Sequence, residues 1–285
     1  MDVLFLCTGN TCRSPMAAAL FALRRARGGL DASIASAGLS AWPGTPAAAN
    51  AIAAAAGLGA DCAGHRARFA TSELLGRADF IVCMAASHAR HIAHFVLHEK
   101  IRVLAGGIAD PYGGDLETYR ACARQIDGAL PALLPDFLCQ AEIIPAEESH
   151  LPAVAALERQ CFSPPASEAR LREKFELEHN HMLTALFDDE LVGFIGVDEI
   201  AGEAFVDDLA VFPAHRRRGV ASALLARAET GAILRGCGKI HLECRESNEG
   251  ALRLYEARGY RRVGRRKGFY ESPKEDAILM TMEIH

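Results

Sequence analysis

The stretch VLFLCTGNTCRSP, residues 3–15, decides the fold of the first half of this chain. Val3–Leu6 is a continuous apolar run, which predicts a strand buried on both faces, as in a parallel sheet. Ser14 and Pro15 then predict a helix start, because serine caps helices and proline loses no needed donor at the first helical position. This helix should run to about Arg27. A strand, a loop and a helix in this order predict an α/β layer.

The loop between this strand and helix has the chemistry of a phosphate site. Cys7 and Arg13 stand at its two ends, and the backbone amides between them can converge on a phosphate beside the positive end of the helix dipole. The same field favours the thiolate of Cys7, which predicts a nucleophile. Arg13 can bind two phosphate oxygens at once. The expected phosphate-binding residues are Thr8, Gly9, Asn10, Thr11, Cys12, Arg13 and Ser14.

Strands and helices continue to alternate after this loop. The patterns predict a helix over Ala47–Ala56, strands over Phe80–Met84 and Ile101–Leu104, and a closing helix over Tyr119–Leu134 that Pro131 interrupts. This alternation predicts a doubly wound parallel-sheet domain of the α/β class.

A new pattern begins near Gln140. Its predicted elements are strand Glu142–Ile144, helix Leu151–Cys161, a hairpin of Leu183–Leu186 and Leu191–Val197, strand Glu203–Val211, helix Val220–Leu234 and strand Ile240–Cys244. A chain of 285 residues exceeds the usual size of one domain. We therefore expect two domains, residues 1–140 and 141–285.

Composition narrows the location and the partners. The net charge of −5 and the absence of a basic half argue against nucleic acid as a partner. Nine cysteines, an odd number without a pairing framework, are typical of a reducing compartment. The N-terminus lacks a signal-peptide pattern, and no apolar stretch approaches the ~20 residues that span a bilayer. We expect a cytoplasmic protein with no membrane partner.

The loop and two later segments resemble the low-molecular-weight phosphatases over about residues 1–138. These segments are Ser36-Ala37-Gly38 and Asp110-Pro111-Tyr112-Gly113. The resemblance implies a metal-independent phosphatase that acts on phosphorylated proteins through a phospho-enzyme on Cys7. It implies that Arg13 stabilises the transition state, and that Asp110 protonates the leaving group and later activates water.

Thr11 bears on the substrate within this family. Its tyrosine phosphatases carry isoleucine at this position and its bacterial protein-arginine phosphatases carry threonine, so the resemblance favours phosphoarginine. A hydroxyl can also hydrogen-bond a guanidinium, whereas isoleucine suits an aromatic ring. Trp42 and Tyr112 keep phosphotyrosine open, because aromatic walls occur in tyrosine phosphatases. An arsenate reductase is disfavoured, because Met84–His94 lacks the two further cysteines that this chemistry needs.

A second candidate site follows strand Glu203–Val211. A basic turn containing glycine, placed just before a helix, suits a pyrophosphate held by backbone amides. The expected cradle consists of Arg217, Arg218, Gly219, Val220, Ala221 and Ser222.

With the segments 242–248 and 251–260, this turn resembles the GNAT-type N-acetyltransferases, and among them the ribosomal-protein alanine Nα-acetyltransferases. The resemblance covers about Ala141 to Ile284 and implies a mixed α/β GNAT domain that uses acetyl-CoA as co-substrate. It implies a protein N-terminus, that of a ribosomal protein, as acetyl acceptor. It assigns Glu243 as general base and Tyr255 as general acid. It also assigns acetyl-CoA contacts to Leu209, Ala210, Val211 and Asn248.

Three interpretations follow from these patterns. The favoured one is a bifunctional enzyme, a protein phosphatase fused to an N-acetyltransferase. The second is a tyrosine phosphatase fused to an acetyltransferase with another acceptor. The third is a regulatory protein in which one half only senses phosphate or acetyl-CoA. The presence of all the expected catalytic residues argues against the third: Cys7, Arg13, Asp110, Glu243 and Tyr255.

Overall fold

The computed structural model describes residues 1–28 and 31–285, which form two compact units, Met1–Pro131 with Ile284–His285, and Ala132–Glu283. The elements of the first unit are β1 Asp2–Cys7, α1 Arg13–Gly28, β2 Ser33–Gly38, α2 Ala49–Ala56, α3 Ser72–Arg77, β3 Phe80–Cys83, α4 Ala86–Ile92, β4 Ile101–Val103 and α5 Leu116–Ala129. Among the helices of these described residues, none has the length and apolarity needed to cross a membrane.

The sheet of the first unit is parallel, with the order β2-β1-β3-β4. The apolar run of β1 pairs on both sides and is buried, as its sequence predicts. Phe5 on β1 packs against Phe21 on α1 with ring centroids 5.5 Å apart. Helices alternate with these parallel strands, which confirms the doubly wound α/β domain. Cys7 is the last residue of β1 and lies at the carboxyl edge of the sheet.

Strand β2 has no strong sequence signal and was not predicted from the sequence. Its residues, SIASAG, are small and partly polar, and only the second half is buried. Small size matters at its end, because a Cβ on Gly38 would lie 2.5 Å from the carbonyl oxygen of Thr8. The closing helix is interrupted as predicted: α5 ends at Ala129 and a 3-10 turn follows at Leu130–Ala132.

The second unit contains the elements α6 Leu133–Leu138, β5 Glu142–Pro145, α7 Leu151–Cys161, α8 Glu168–Phe175, β6 Asn180–Phe187, β7 Glu190–Ile200, β8 Glu203–Val211, α9 Val220–Arg235, β9 Lys239–Arg245, α10 Glu249–Arg258, β10 Arg261–Glu271 and β11 Lys274–Glu283. Its strands form a mixed sheet with the order β10-β11-β9-β8-β7-β6-β5. The hairpin of β6 and β7 confirms the predicted one, and Asp188 and Asp189 form its left-handed turn. The core of this unit includes Leu151, Val154 and Phe194.

The parallel pair β8 and β9 separates before either strand ends. Its pairing joins Glu203–Val206 to Lys239–Leu242. Beyond these residues, β8 continues to Val211 and β9 to Arg245, and within the described chain no further pair joins the two strands. The edge of β8 that faces β9 is therefore open to another hydrogen-bonding partner over its last residues. This opening lies directly before the turn that leads into α9.

Candidate active sites

The thiol of Cys7 is buried and surrounded by hydrogen-bonding groups. Its Sγ lies 3.0 Å from the hydroxyl of Ser14, and the backbone N–H of Asn10 donates to it at 3.2 Å. Helix α1 begins at Arg13, so Ser14 lies inside the first turn and is not the N-cap that the sequence suggested. Its hydroxyl contacts Cys7 instead. The sulfur of Cys7 thus lies beside a hydroxyl and a backbone N–H at the start of α1.

Asn10 holds the loop in shape. Its backbone is left-handed, with φ 55°. Its side-chain amide donates to the hydroxyls of Ser14 and Ser36 at 2.9 and 3.0 Å, and its Oδ1 accepts from the N–H of Arg68 at 2.9 Å. Asparagine tolerates this backbone better than most residues. The side chain therefore connects the loop to β2 and to the segment before α3.

Arg13 and Asp110 meet at the mouth of this loop. The guanidinium of Arg13 is buried, and its Nη1 donates to the carbonyl oxygen of Ile108 at 3.1 Å. Its Nη2 forms a salt bridge with Asp110, whose side chain is 47% exposed. The N–H of Tyr112 donates to the other carboxylate oxygen of Asp110 at 3.2 Å. One end of Arg13 is thus fixed, while the other reaches an accessible carboxylate.

Two further residues support the loop, and neither was predicted from the sequence. Nε2 of His88 lies 2.9 Å from the hydroxyl of Thr8. Burial and the nearby charge of Arg13 lower the pKa of His88 to about 4, and the charge of Asp110 opposes this shift. The hydroxyl of Tyr119 lies 3.1 Å from Sγ of Cys12, and burial raises its pKa. The only sign of either residue in the sequence is a polar side chain on the face of a helix that is otherwise apolar.

The residues that bear on the substrate are accessible. The side chain of Thr11 is partly exposed, and its hydroxyl lies 3.6 Å from Sγ of Cys12. Trp42 and Tyr112 are 82% and 81% exposed, so neither is a core residue. Both aromatic side chains are therefore accessible to a ligand.

In the second unit, the turn before α9 has the backbone of an anion site. Arg217 and Gly219 are left-handed, with φ 64° and 84°, and Gly219 is the residue that precedes the helix. Arg217 and Arg218 are exposed, whereas Val220 and Ser222 are buried. The turn therefore has groups that can bind a pyrophosphate: a left-handed glycine, two arginines and a helix N-terminus. The carbonyl oxygen of Pro135, from α6, lies against Gly219.

Glu243 and Tyr255 have different environments. Glu243 follows the last residue of β9 that pairs with β8, is one-third exposed, and binds Arg266 at 3.0 Å. Tyr255 is buried on α10, and this burial raises its pKa, with further increases from Cys244 and Tyr270. It therefore keeps its proton at neutral pH, as a general acid must. The pairing of Glu243 with Arg266 was not predicted from the sequence.

Asn248 is the N-cap of α10. Its side-chain Oδ1 accepts a hydrogen bond from the N–H of Ala251 at 3.2 Å. The NH2 group of the same amide supplies two further donors, which this bond does not use. Leu209, Ala210 and Val211 lie on the last residues of β8, in the part that has separated from β9. The structure thus groups these residues around the carboxyl ends of β8 and β9.

Known proteins match each half of the chain. A protein-arginine-phosphatase of Bacillus subtilis is 34% identical over 142 residues, covering 47% of this chain and 94% of that protein. A probable low molecular weight protein-tyrosine-phosphatase, EpsP, of Ralstonia nicotianae is 35% identical over 139 residues, covering 47% and 93%. The N-alpha-acetyltransferase RimI of Mycobacterium tuberculosis is 34% identical over 132 residues, covering 44% and 82%.

The family matches divide the chain in the same order. Residues 2–144 match the low molecular weight phosphotyrosine protein phosphatase family, and residues 151–260 match the acetyltransferase (GNAT) family. The first match covers half of the chain, and the second follows it without overlap. The chain therefore belongs to the low molecular weight phosphotyrosine protein phosphatase family and carries a GNAT acetyltransferase domain behind its phosphatase domain.

Proposed function

We propose that this protein is a bifunctional enzyme, a phosphoarginine-preferring protein phosphatase joined to an acetyl-CoA-dependent Nα-acetyltransferase. The observation that carries the phosphatase half is the Cys7 thiol, which lies between Ser14 and the N–H of Asn10 at a helix N-terminus. The salt bridge of Arg13 and Asp110 lies at the mouth of the same loop. A nucleophile, a phosphate clamp and an accessible acid are thus brought together.

The phosphatase reaction takes two steps on these residues. The thiolate of Cys7 attacks phosphorus while the bond from phosphorus to the leaving atom breaks and Asp110 gives that atom a proton. Asp110 then accepts a proton from water, whose oxygen attacks phosphorus, and the P–S bond breaks to return the thiolate. Arg13 binds the phosphate oxygens in both transition states. An incoming phosphate competes with Asp110 for Nη2 of Arg13, which releases the carboxyl group toward the leaving atom.

Phosphoarginine is the favoured substrate because of Thr11. Its hydroxyl is accessible and can accept a hydrogen bond from a guanidinium N–H. The Bacillus relative, named a protein-arginine-phosphatase, supports this choice. Phosphotyrosine is the second candidate. The two exposed aromatic side chains, Trp42 and Tyr112, and the Ralstonia relative favour it.

The acetyltransferase half acts on a protein N-terminus in this proposal. Glu243 removes a proton from the α-amine, and buried Tyr255 holds the proton that the leaving sulfur takes. Bound acetyl-CoA supplies the acetyl group as a thioester. The turn at Gly219 binds its pyrophosphate, while Asn248 and the open edge of β8 bind the rest. The M. tuberculosis relative, an N-alpha-acetyltransferase, supports a protein acceptor; the N-terminal alanine of a ribosomal protein is our specific proposal.

The remaining expectations stay proposals. We place the division between the catalytic domains at residues 1–140 and 141–285, whereas the compact units divide at Pro131. We place the protein in the cytoplasm because its nine cysteines form no disulfide among the described residues, as is typical of a reducing compartment. Phosphorylated proteins and a protein N-terminus are the expected partners, and neither nucleic acid nor membrane is expected.

The substrate assignment is tested by a paired assay. Purified protein is offered matched peptides that carry phosphoarginine or phosphotyrosine, and phosphate release is measured with Cys7→Ser as the blank. We expect a higher kcat/KM for phosphoarginine and no release by the variant. A higher kcat/KM for phosphotyrosine would show that the second candidate substrate, phosphotyrosine, is the preferred one. Phosphate release by Cys7→Ser would show that Cys7 is not the nucleophile.

A further inference from the structure

Helix α6 covers the N-terminal turn of α9 within the second unit. A Cβ added to Gly219 would collide with the carbonyl oxygen of Pro135 and would lie 3.5 Å from the Cβ of Cys139. A phosphate held by backbone amides places its oxygens about 2.7–3.2 Å from the nitrogen atoms. The carbonyl group of Pro135 therefore already lies against the turn at which those amides would hold a phosphate.

Asp136, the next residue of α6, binds the same helix start through a buried carboxylate. Its Oδ1 accepts from the hydroxyl of Ser222 at 2.6 Å, and its Oδ2 accepts from Nη1 of Arg258 at 3.0 Å. Ser222 lies in the first turn of α9 and belongs to the expected pyrophosphate cradle. A carboxylate and a phosphate use such donors alike, and the dipole of α9 stabilises both. The carboxylate of Asp136 thus takes the place of the anion that this turn is proposed to bind.

Arg258 has a second carboxylate partner besides Asp136. Its Nε donates to both oxygens of Glu229 at 3.0 and 3.1 Å, and its Nη2 donates at 2.6 Å. If Asp136 leaves, Arg258 keeps this bidentate partner, so no unpaired buried cation results. The Nη1 of Arg258 and the hydroxyl of Ser222 then become available to a phosphate. Leu133 and Phe137 of α6 are also buried.

We propose that α6 is an autoinhibitory helix that occupies the pyrophosphate position and that acetyl-CoA must displace. This inference rests on the proposed acetyl-CoA site at α9. By sequence, α6 belongs to residues 2–144, which match the phosphatase family, but by structure it belongs to the second compact unit. The end of the phosphatase sequence therefore controls access to the acetyltransferase site.

Binding affinity gives the first test. Isothermal titration of the full-length protein with acetyl-CoA should show about tenfold tighter binding by Asp136→Asn and Asp136→Ala, because each weakens the charged hydrogen bonds of the closed form. Asp136→Asn keeps the side-chain size and the pair of Arg258 with Glu229, so it should fold. The control is Glu148→Gln, which breaks an exposed ion pair with Arg172 and should leave the affinity unchanged. Equal or weaker binding by the Asp136 variants would overturn the inference.

Hydrogen exchange of the unmodified protein gives a second test that depends on no variant. Saturating acetyl-CoA should speed the exchange of the amides of residues 133–139, since α6 leaves its position. Slower or unchanged exchange would mean that α6 stays in place, and the autoinhibitory role would be wrong although the cofactor site stands. If neither the wild type nor the Asp136 variants bind acetyl-CoA, the proposed acetyl transfer fails, and this inference fails with it.

Discussion

At the residue scale, the polar side chains of the phosphatase loop make contacts that the sequence did not predict. Asn10 has a left-handed backbone and hydrogen-bonds three segments of the chain, and Ser14 contacts the nucleophile rather than capping a helix. Cys7, Arg13 and the loop length were enough to predict a phosphate site. The supporting contacts of His88 and Tyr119 were not predictable, because they come from helices far along the chain.

In the proposed function, Thr11 is the residue that favours phosphoarginine over phosphotyrosine. Thr11→Val removes the hydroxyl and keeps the shape, so it should lower kcat/KM for phosphoarginine roughly ten- to a hundredfold, the value of a hydrogen bond to a charged group. Activity on phosphotyrosine should change little. Thr11→Ile should lower the ratio of kcat/KM for phosphoarginine to kcat/KM for phosphotyrosine further, because its side chain is larger and apolar. If both variants keep the wild-type ratio of the two substrates, the hydroxyl has no part in specificity.

His88 predicts an acid-sensitive stability. The folded protein holds its pKa near 4, whereas an unfolded histidine binds a proton near pH 6.5. The unfolded state therefore binds more protons between these values, and stability is lost as the pH falls from about 6.5 to 4, by at most about 3 kcal/mol. His88→Gln should show a shallower loss in urea unfolding over this range.

The control for this measurement is His94→Gln, at an exposed position two residues beyond the end of α4. It should keep the wild-type pH dependence of the free energy of unfolding. A His88→Gln protein whose stability falls with pH as steeply as the wild type would show that this histidine is not a buried neutral group.

At the element scale, long periodic segments were predictable and short or irregular ones were not. Helix α7 and strand β8 have the predicted bounds, because each is a strongly patterned segment. Strand β2 was not predicted because its residues are small. The long hairpin of β10 and β11 was not predicted because β10 is mostly exposed and rich in charge. The separation of β8 from β9 comes from strand register, which the sequence of neither strand reveals.

Asn248 caps α10 and is proposed to bind acetyl-CoA, and a single substitution can separate these two roles. Serine at this position still caps α10 but lacks the side-chain amide, so Asn248→Ser should keep the stability within a few tenths of a kcal/mol. Its KM for acetyl-CoA should rise about two- to tenfold, as for one lost hydrogen bond. Asn248→Ala should show the same KM change and also lose about 1 kcal/mol of stability. An unchanged KM in both variants would confine Asn248 to capping.

At the scale of the whole molecule, the sequence predicted two enzymes in one chain, divided near Gln140, with Glu142–Ile144 as the first strand of the second domain. The family matches place residues 132–144 with the phosphatase, whereas the structure assigns α6 and β5 to the second unit. Within that unit, buried contacts of Asp136 with Ser222 and Arg258 join α6 to residues that lie far from it in sequence. Pattern and spacing carry no information about such pairs.

The central claim is that one chain carries two separate catalytic sites. The most direct test measures both reactions on the same preparations of wild type, Cys7→Ser and Tyr255→Phe: phosphate release from a phosphoarginine peptide, and acetyl transfer to an alanine N-terminus at saturating acetyl-CoA. We predict that Cys7→Ser loses only phosphate release and that Tyr255→Phe loses only acetyl transfer. Loss of both reactions in either variant, or of neither, would contradict the account.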